Sequence, residues 1–205
     1  TAIMKILICA YQETLSPAGA KKRGAGRHVL TKAHVEKIRA VGKNINVVVT
    51  ADALAAARHA IDADIIAGFP ATIPPVEAAP NVKWIHSFSA GVDRVLTPAV
   101  IKSPVIVSNS SGIHKIPIAE HVLGYLLIFS RGFLRSLENQ KKRLWKKDDS
   151  LTELRGKTVL VGGLGNIGGE VARLAHAFGC HLIAVTRGTR ERIDWVHDIK
   201  KSAML

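Results

Sequence analysis

Thr158-Val159-Leu160-Val161-Gly162-Gly163-Leu164-Gly165-Asn166-Ile167-Gly168 carries the strongest structural signal in the chain. A short apolar run, the pattern of a strand, passes at once into Gly163-x-Gly165-x-x-Gly168. Apolar residues then recur at helical spacing at Ile167, Val171, Leu174, Ala175 and Phe178, and Gly179 closes the helix. His181-Leu182-Ile183-Ala184-Val185 is the next strand. In this setting the three glycines have separate physical tasks. Gly163 permits a tight turn, Gly165 lets a pyrophosphate approach the backbone, and Gly168 lets helix and sheet pack closely. Asn166 and Ile167 sit in the first turn of the new helix, whose N-terminal N–H groups and positive dipole end suit an anion. Gly163, Gly165, Asn166, Ile167 and Gly168 are therefore the candidate cofactor-binding residues.

The end of the following strand bears on which dinucleotide is bound. A carboxylate there takes the ribose hydroxyls of NAD, but this chain has Thr186-Arg187-Gly188-Thr189-Arg190. Arg187, supported by Thr189 or Arg190, suits the 2′-phosphate of NADP, because a guanidinium forms charge-assisted bonds to phosphate. The expectation is NAD or NADP, leaning to NADP. A solvent-facing Arg187, or one stacked on an adenine, is the competing reading.

Upstream, strand and helix patterns alternate. Lys5 to Ala10, Asn46 to Thr50, Ile65 to Gly68, Val82 to His86 and Val105 to Ser108 read as strands. Thr31 caps a helix running to about Val41, and Ala53 to Ile61 is an Ala-rich helix. Gln12 to Arg27 reads as a loop. The alternation argues a doubly wound α/β fold. From Pro117, placed at the first helical position, a long helix carries Ile118, Val122, Tyr125 and Phe129 on one stripe. Ala119, Leu123 and Leu127 line the next, so the apolar arc predicts burial on two sides.

Composition sets the outer bounds. Over 205 residues, 47% hydrophobic and 22% charged residues describe a globular chain of one or two domains. No apolar run approaches the roughly 20 residues of a membrane span, and no leader pattern is seen, so the expected location is cytoplasmic. Cys9 and Cys180 lack zinc-site spacing and read as buried free thiols. Lys plus Arg number 29 against 16 Asp plus Glu, a formal charge of +13. The basic residues are scattered, and no aromatic residues interleave as a nucleic-acid stacking platform requires, so nucleic acid is not the expected partner.

Three blocks in order resemble the D-isomer-specific 2-hydroxyacid dehydrogenases. They are Ser89-Ala90-Gly91-Val92-Asp93, then Asn109-Ser110-Ser111-Gly112-Ile113-His114 leading to Ile118-Ala119-Glu120-His121, then Leu154-Arg155-Gly156-Lys157-Thr158 through Phe178-Gly179. The resemblance implies a flavodoxin-like substrate (lid) domain at 1–103, followed at 104–205 by the N-terminal part of a Rossmann domain. It implies reversible reduction of a small 2-keto acid to a D-2-hydroxy acid. Backbone N–H groups at Ala90 and Gly91 would hold the substrate carboxylate, and two copies would pair through the helix after Pro117. The family's catalytic arginine, histidine and glutamate fall beyond Leu205. No catalytic residue is assigned here, and a chain lacking them is expected to be inactive. His86, His114 and His121 are poor substitutes, being better explained by packing or surface roles. The family also includes corepressors that respond to dinucleotides, and such a non-catalytic regulatory role is the alternative.

Overall fold

The computed structural model describes residues 3–10, 30–188 and 193–201. The loop read at Gln12 to Arg27, and Thr189 and Arg190, lie outside them. The chain divides into two compact units, Thr1–Ser111 and Gly112–Leu205.

In the first unit the expected strands form one parallel sheet: β1 (Met4–Cys9), β2 (Ile45–Thr50), β3 (Ile65–Gly68), β4 (Trp84–Ser87) and β5 (Ile106–Asn109). Their spatial order, β2-β1-β3-β4-β5, is the flavodoxin-like arrangement. Alternation along the strands divides the core. Leu7, Cys9, Ile66 and Ile85 are buried with Ala56 and Ala60 of α2 (Ala53–Ala60). Ile8, Ala10 and Val47 pack instead with Val35 of α1 (Lys32–Arg39). Thr31 caps α1 by a reciprocal pair: its hydroxyl accepts from His34 N–H at 3.3 Å, and its own N–H donates to His34 Nδ1 at 3.2 Å. The helix stops short of Val41 because the chain tightens, with Val41 and Gly42 N–H donating three residues back to Ile38 and Arg39.

The first sheet takes in more chain than the sequence pattern suggested. β5 follows a short helix, α3 (Pro98–Lys102), and pairs in register with β4, Trp84 beside Ile106 and Ser87 beside Asn109. The unit therefore runs to Ser111, whereas the reading above ended the first domain at Ser103. An apolar run such as Val105 to Ser108 is compatible with either sheet until its pairing is known.

The second unit holds α4 (Lys115–Ser130), α5 (Phe133–Lys141), β6 (Thr158–Gly162), α6 (Asn166–Ala177), β7 (His181–Thr186) and β8 (Asp198–Lys201). The sheet is parallel in the order β6-β7-β8, the first half of a Rossmann sheet, with α6 as the crossover from β6 to β7. Helix α4 begins two residues before Pro117, which is thus third rather than first; a first-turn residue still needs no N–H acceptor, so the proline is tolerated there. Gly132, at φ 62°, separates α4 from α5. Only one side of α4 is covered in this unit. Ala119 and Leu123 join the core with Val171, Ala172 and Ala175 of α6, while Tyr125 and Phe129 are 50% and 71% exposed. The expectation of burial on two sides is met on one. Cys9 and Cys180 are free and buried, and burial pushes the Cys9 thiol up to about 11, so it stays protonated and inert. Among the described residues, no helix is long and apolar enough to cross a membrane.

Candidate functional site

The turn between β6 and α6 is built as the glycine spacing predicts. Gly163 sits at φ +90°, where a side chain is strained, and its N–H donates to Val185 O at 2.7 Å, closing the turn onto β7. A Cβ on Gly168 would lie 1.9 Å from Gly163 O, so only glycine allows helix and turn to meet. A Cβ on Gly165 would meet nothing within 4 Å; this backbone faces open space. Gly165 is the N-cap of α6, and the first helical bond runs from Gly169 N–H to Gly165 O at 2.9 Å. The N–H groups of Gly165, Ile167 and Gly168 therefore have no acceptor among the described residues. Asn166 lies beside Gly112, close enough that a Cβ there would be 3.4 Å from its side-chain nitrogen.

The charge around this turn is partly compensated. Glu170, in the first turns of α6, receives Arg173 Nη2 at 2.6 Å, and that hydrogen bond holds its carboxyl below the ordinary range, with Lys115 adding a smaller pull. At the end of β7 the Thr186 hydroxyl donates to Gly188 O at 2.7 Å and tightens the bend. Arg187 is exposed on that bend, and no carboxylate stands at 186–188.

The second candidate segment, Ser89 to Asp93, follows β4 in the first unit. Buried Ser87 turns the chain, its hydroxyl accepting Ser89 N–H at 3.2 Å. Two residues from the end of β5 then hold the loop. Asn109 Nδ2 donates to Ala90 O at 2.7 Å, and Ser110 N–H donates to Ser89 O at 3.2 Å. In a trans peptide the C=O and the following N–H point in opposite directions. Drawing Ser89 and Ala90 carbonyls toward β5 thus turns the N–H groups of Ala90 and Gly91 away from it. Neither N–H has an acceptor among the described residues. Two successive unpaired amides form an anion-binding concavity.

Of the residues singled out from sequence, the five at the glycine turn lie together in the second unit, Ala90 and Gly91 lie together in the first, and Arg187 ends β7. Sequence reasoning missed Asn109 and Ser110, which hold the loop, and the contacts of the His86 ring with Ser108 and Ser110 across the sheet. The other two histidines are peripheral: His114 precedes α4 without capping it, and His121 packs edge-on against Tyr125 at 4.6 Å. Among the described residues no cluster of His, Cys, Asp or Glu has the makings of a metal site.

Residues 123–203 match the D-isomer specific 2-hydroxyacid dehydrogenase NAD-binding domain. The chain is 38% identical over 127 residues to a D-3-phosphoglycerate dehydrogenase of Mycobacterium leprae, a match covering 60% of this chain and 22% of that protein. It is 36% identical over 110 residues to a hydroxypyruvate reductase of Thermotoga maritima, covering 53% of this chain and 36% of the relative. A solved D-isomer specific 2-hydroxyacid dehydrogenase family protein from Aeromonas salmonicida subsp. salmonicida superimposes with a TM-score of 0.76 at 25% identity, over 98% of this chain and 59% of that one. The matched chain thus spans less than two thirds of each of these proteins.

Proposed function

We propose that this chain, whose residues 123–203 match the NAD-binding domain of the D-isomer specific 2-hydroxyacid dehydrogenases, is a member of that family and supplies the dinucleotide turn and the substrate-carboxylate loop of an oxidoreductase acting on small 2-keto and 2-hydroxy acids. The observation that carries the proposal is the glycine turn. Position 163 needs positive φ, position 165 is open, and position 168 admits no Cβ. That combination fits a pyrophosphate laid against the backbone at the start of α6.

Gly163, Gly165, Asn166, Ile167 and Gly168 would hold the cofactor's pyrophosphate, through the N–H groups and the positive end of the α6 dipole. The nicotinamide, when bound, supplies or accepts the hydride. In the first unit the N–H groups of Ala90 and Gly91 would bind the substrate carboxylate and so orient the neighbouring C2 carbon. Arg187 favours NADP over NAD, since the bend it occupies lacks the carboxylate that would pair with ribose hydroxyls. The exposed stripe of α4, with Ile118, Tyr125 and Phe129, would pair with a second copy of the chain.

Titration of the chain with NADPH and NADH, followed by calorimetry, tests the reading. Saturable binding of both is expected, tighter for NADPH. Arg187→Ala should weaken NADPH about tenfold or more, the scale of a charge-assisted hydrogen bond, and leave NADH nearly unchanged. Equal loss for both would remove the NADP preference, and no binding of either would refute the dinucleotide site.

A further inference from the structure

We propose that His86 is a positioning residue for the carboxylate loop, fixing it through a one-way chain of hydrogen bonds from Trp84 to Ser87. The proposal rests on reading Ala90 and Gly91 as the carboxylate site and adds a residue to which no role in that site has been given.

The strand register places the parts. His86 on β4 lies beside Ser108 on β5, and Trp84, two residues earlier, shares that face. Trp84 Nε1 can only donate, and it donates to Ser108 Oγ at 2.7 Å. At the other end Ser110 Oγ donates to Ser87 O at 3.2 Å. A hydroxyl has one proton, so Ser110 meets His86 Nε2, 3.4 Å away, with a lone pair. Nε2 must therefore carry the imidazole proton. Nδ1 is then bare and accepts from Ser108 Oγ at 2.9 Å. Every proton in the series is assigned, and each group donates toward the loop. Edge-on rings of Trp84 and Phe88, 6.1 and 5.8 Å from the His86 ring by centroid, hold the imidazole in plane.

Ser110 is where this chain of bonds meets the loop. Its hydroxyl holds Ser87 O, its N–H holds Ser89 O, and the adjoining Asn109 holds Ala90 O. Those restraints turn the Ala90 and Gly91 N–H groups outward. Ser87 O takes the proton of the Ser110 hydroxyl, and His86 is the side chain that donates to its lone pair, fixing its second direction. A side chain without a donor at the Nε2 position frees that hydroxyl to rotate and loosens Ser89 to Gly91.

The test uses the full chain with His86→Leu, His86→Gln and Ser110→Ala, measured by backbone 15N relaxation at Ser89 to Val92 and by calorimetric titration of oxalate as carboxylate probe. For the wild type, order parameters near the rigid value of about 0.85 are expected across the loop, falling below about 0.6 in His86→Leu and Ser110→Ala. Oxalate affinity should fall about tenfold in both. His86→Gln, whose amide nitrogen reaches the Nε2 position, should restore order and affinity, a rescue that generic packing damage would not give. An equally rigid loop in His86→Leu overturns the proposal, as does failure of the glutamine to rescue; if the leucine variant does not fold, an unchanged loop in Ser110→Ala overturns it instead. Wild-type chain that ignores oxalate while its loop still responds to His86 would refute the carboxylate reading and leave the positioning role standing.

Discussion

Two glycines three residues apart make opposite demands. At 168 an added Cβ would sit 1.9 Å from Gly163 O, inside any permissible contact, so Gly168→Ala must push helix and turn apart. Overpacking of this kind costs about 1–3 kcal/mol, and the loss should appear in thermal unfolding as well as in dinucleotide affinity. At 165 the added group meets open space, so Gly165→Val should keep its fold, losing only about 1 kcal/mol through a poorer helix cap. It should nevertheless abolish dinucleotide binding, because the isopropyl group takes the volume through which the pyrophosphate approaches. Chemical denaturation run beside calorimetric titration separates the two. A Gly165→Val protein that binds as well as wild type would show that this face is not where the ligand lies. These glycines are also what made the second unit legible in the sequence, since positive φ at 163 and forbidden volume at 168 are demands only glycine meets.

Elements are pinned together by contacts that no spacing announces. Asp64, just before β3, accepts Lys5 N–H of β1 at 2.9 Å and Lys83 Nζ, just before β4, at 2.8 Å, joining the starts of three strands. The Lys83 hydrogen bond, then that from Lys5, holds the Asp64 carboxyl below its ordinary range. Because the folded-state pKa is the lower one, the stabilisation is fully present above the unfolded Asp range near 3.9 and fades as pH falls toward the folded value. Asp64→Asn should therefore be less stable than wild type at neutral pH and converge with it in acid. Urea melts at pH 7 and at successive steps below pH 4 check the sign, and a constant gap across that range would disprove the linkage. The same contrast explains what was legible. Strands β1 to β7 were readable because each carries a dense apolar run or opens on the glycine turn, α1 because Thr31 caps it, and α2 because its run is rich in alanine; the Asp52 cap of α2 emerges only in the structure. Strand β8, Asp198–Lys201, has a single apolar residue and exists through its pairing with β7. The contacts of Asn109 and Ser110 with the loop at 89–91, and of His86 with Ser110, depend on β4–β5 register, which is a property of the sheet and not of either segment.

At the scale of the whole molecule two tendencies oppose each other. The formal charge of +13 repels a second copy at low ionic strength, while the exposed Ile118, Tyr125 and Phe129 stripe of α4 and the exposed Phe133, Leu134 and Leu137 of α5 favour association. Apolar contact is insensitive to added salt at this level, whereas repulsion between exposed charges is screened once the Debye length falls to about 8 Å near physiological ionic strength. Dimerisation through this surface should consequently tighten as salt rises from about 10 to about 150 mM, and Phe129→Lys should disperse the dimer while leaving the glycine turn and NADPH binding intact. Sedimentation velocity across that salt range reads both effects. Binding of nucleic acid would show the reverse sign, since each phosphate neutralised releases counterions and affinity drops steeply with salt. A dimer that weakens with salt, or one that survives Phe129→Lys unchanged, would place the interface on charged surface elsewhere and leave the apolar stripe of α4 without a partner in the homodimer.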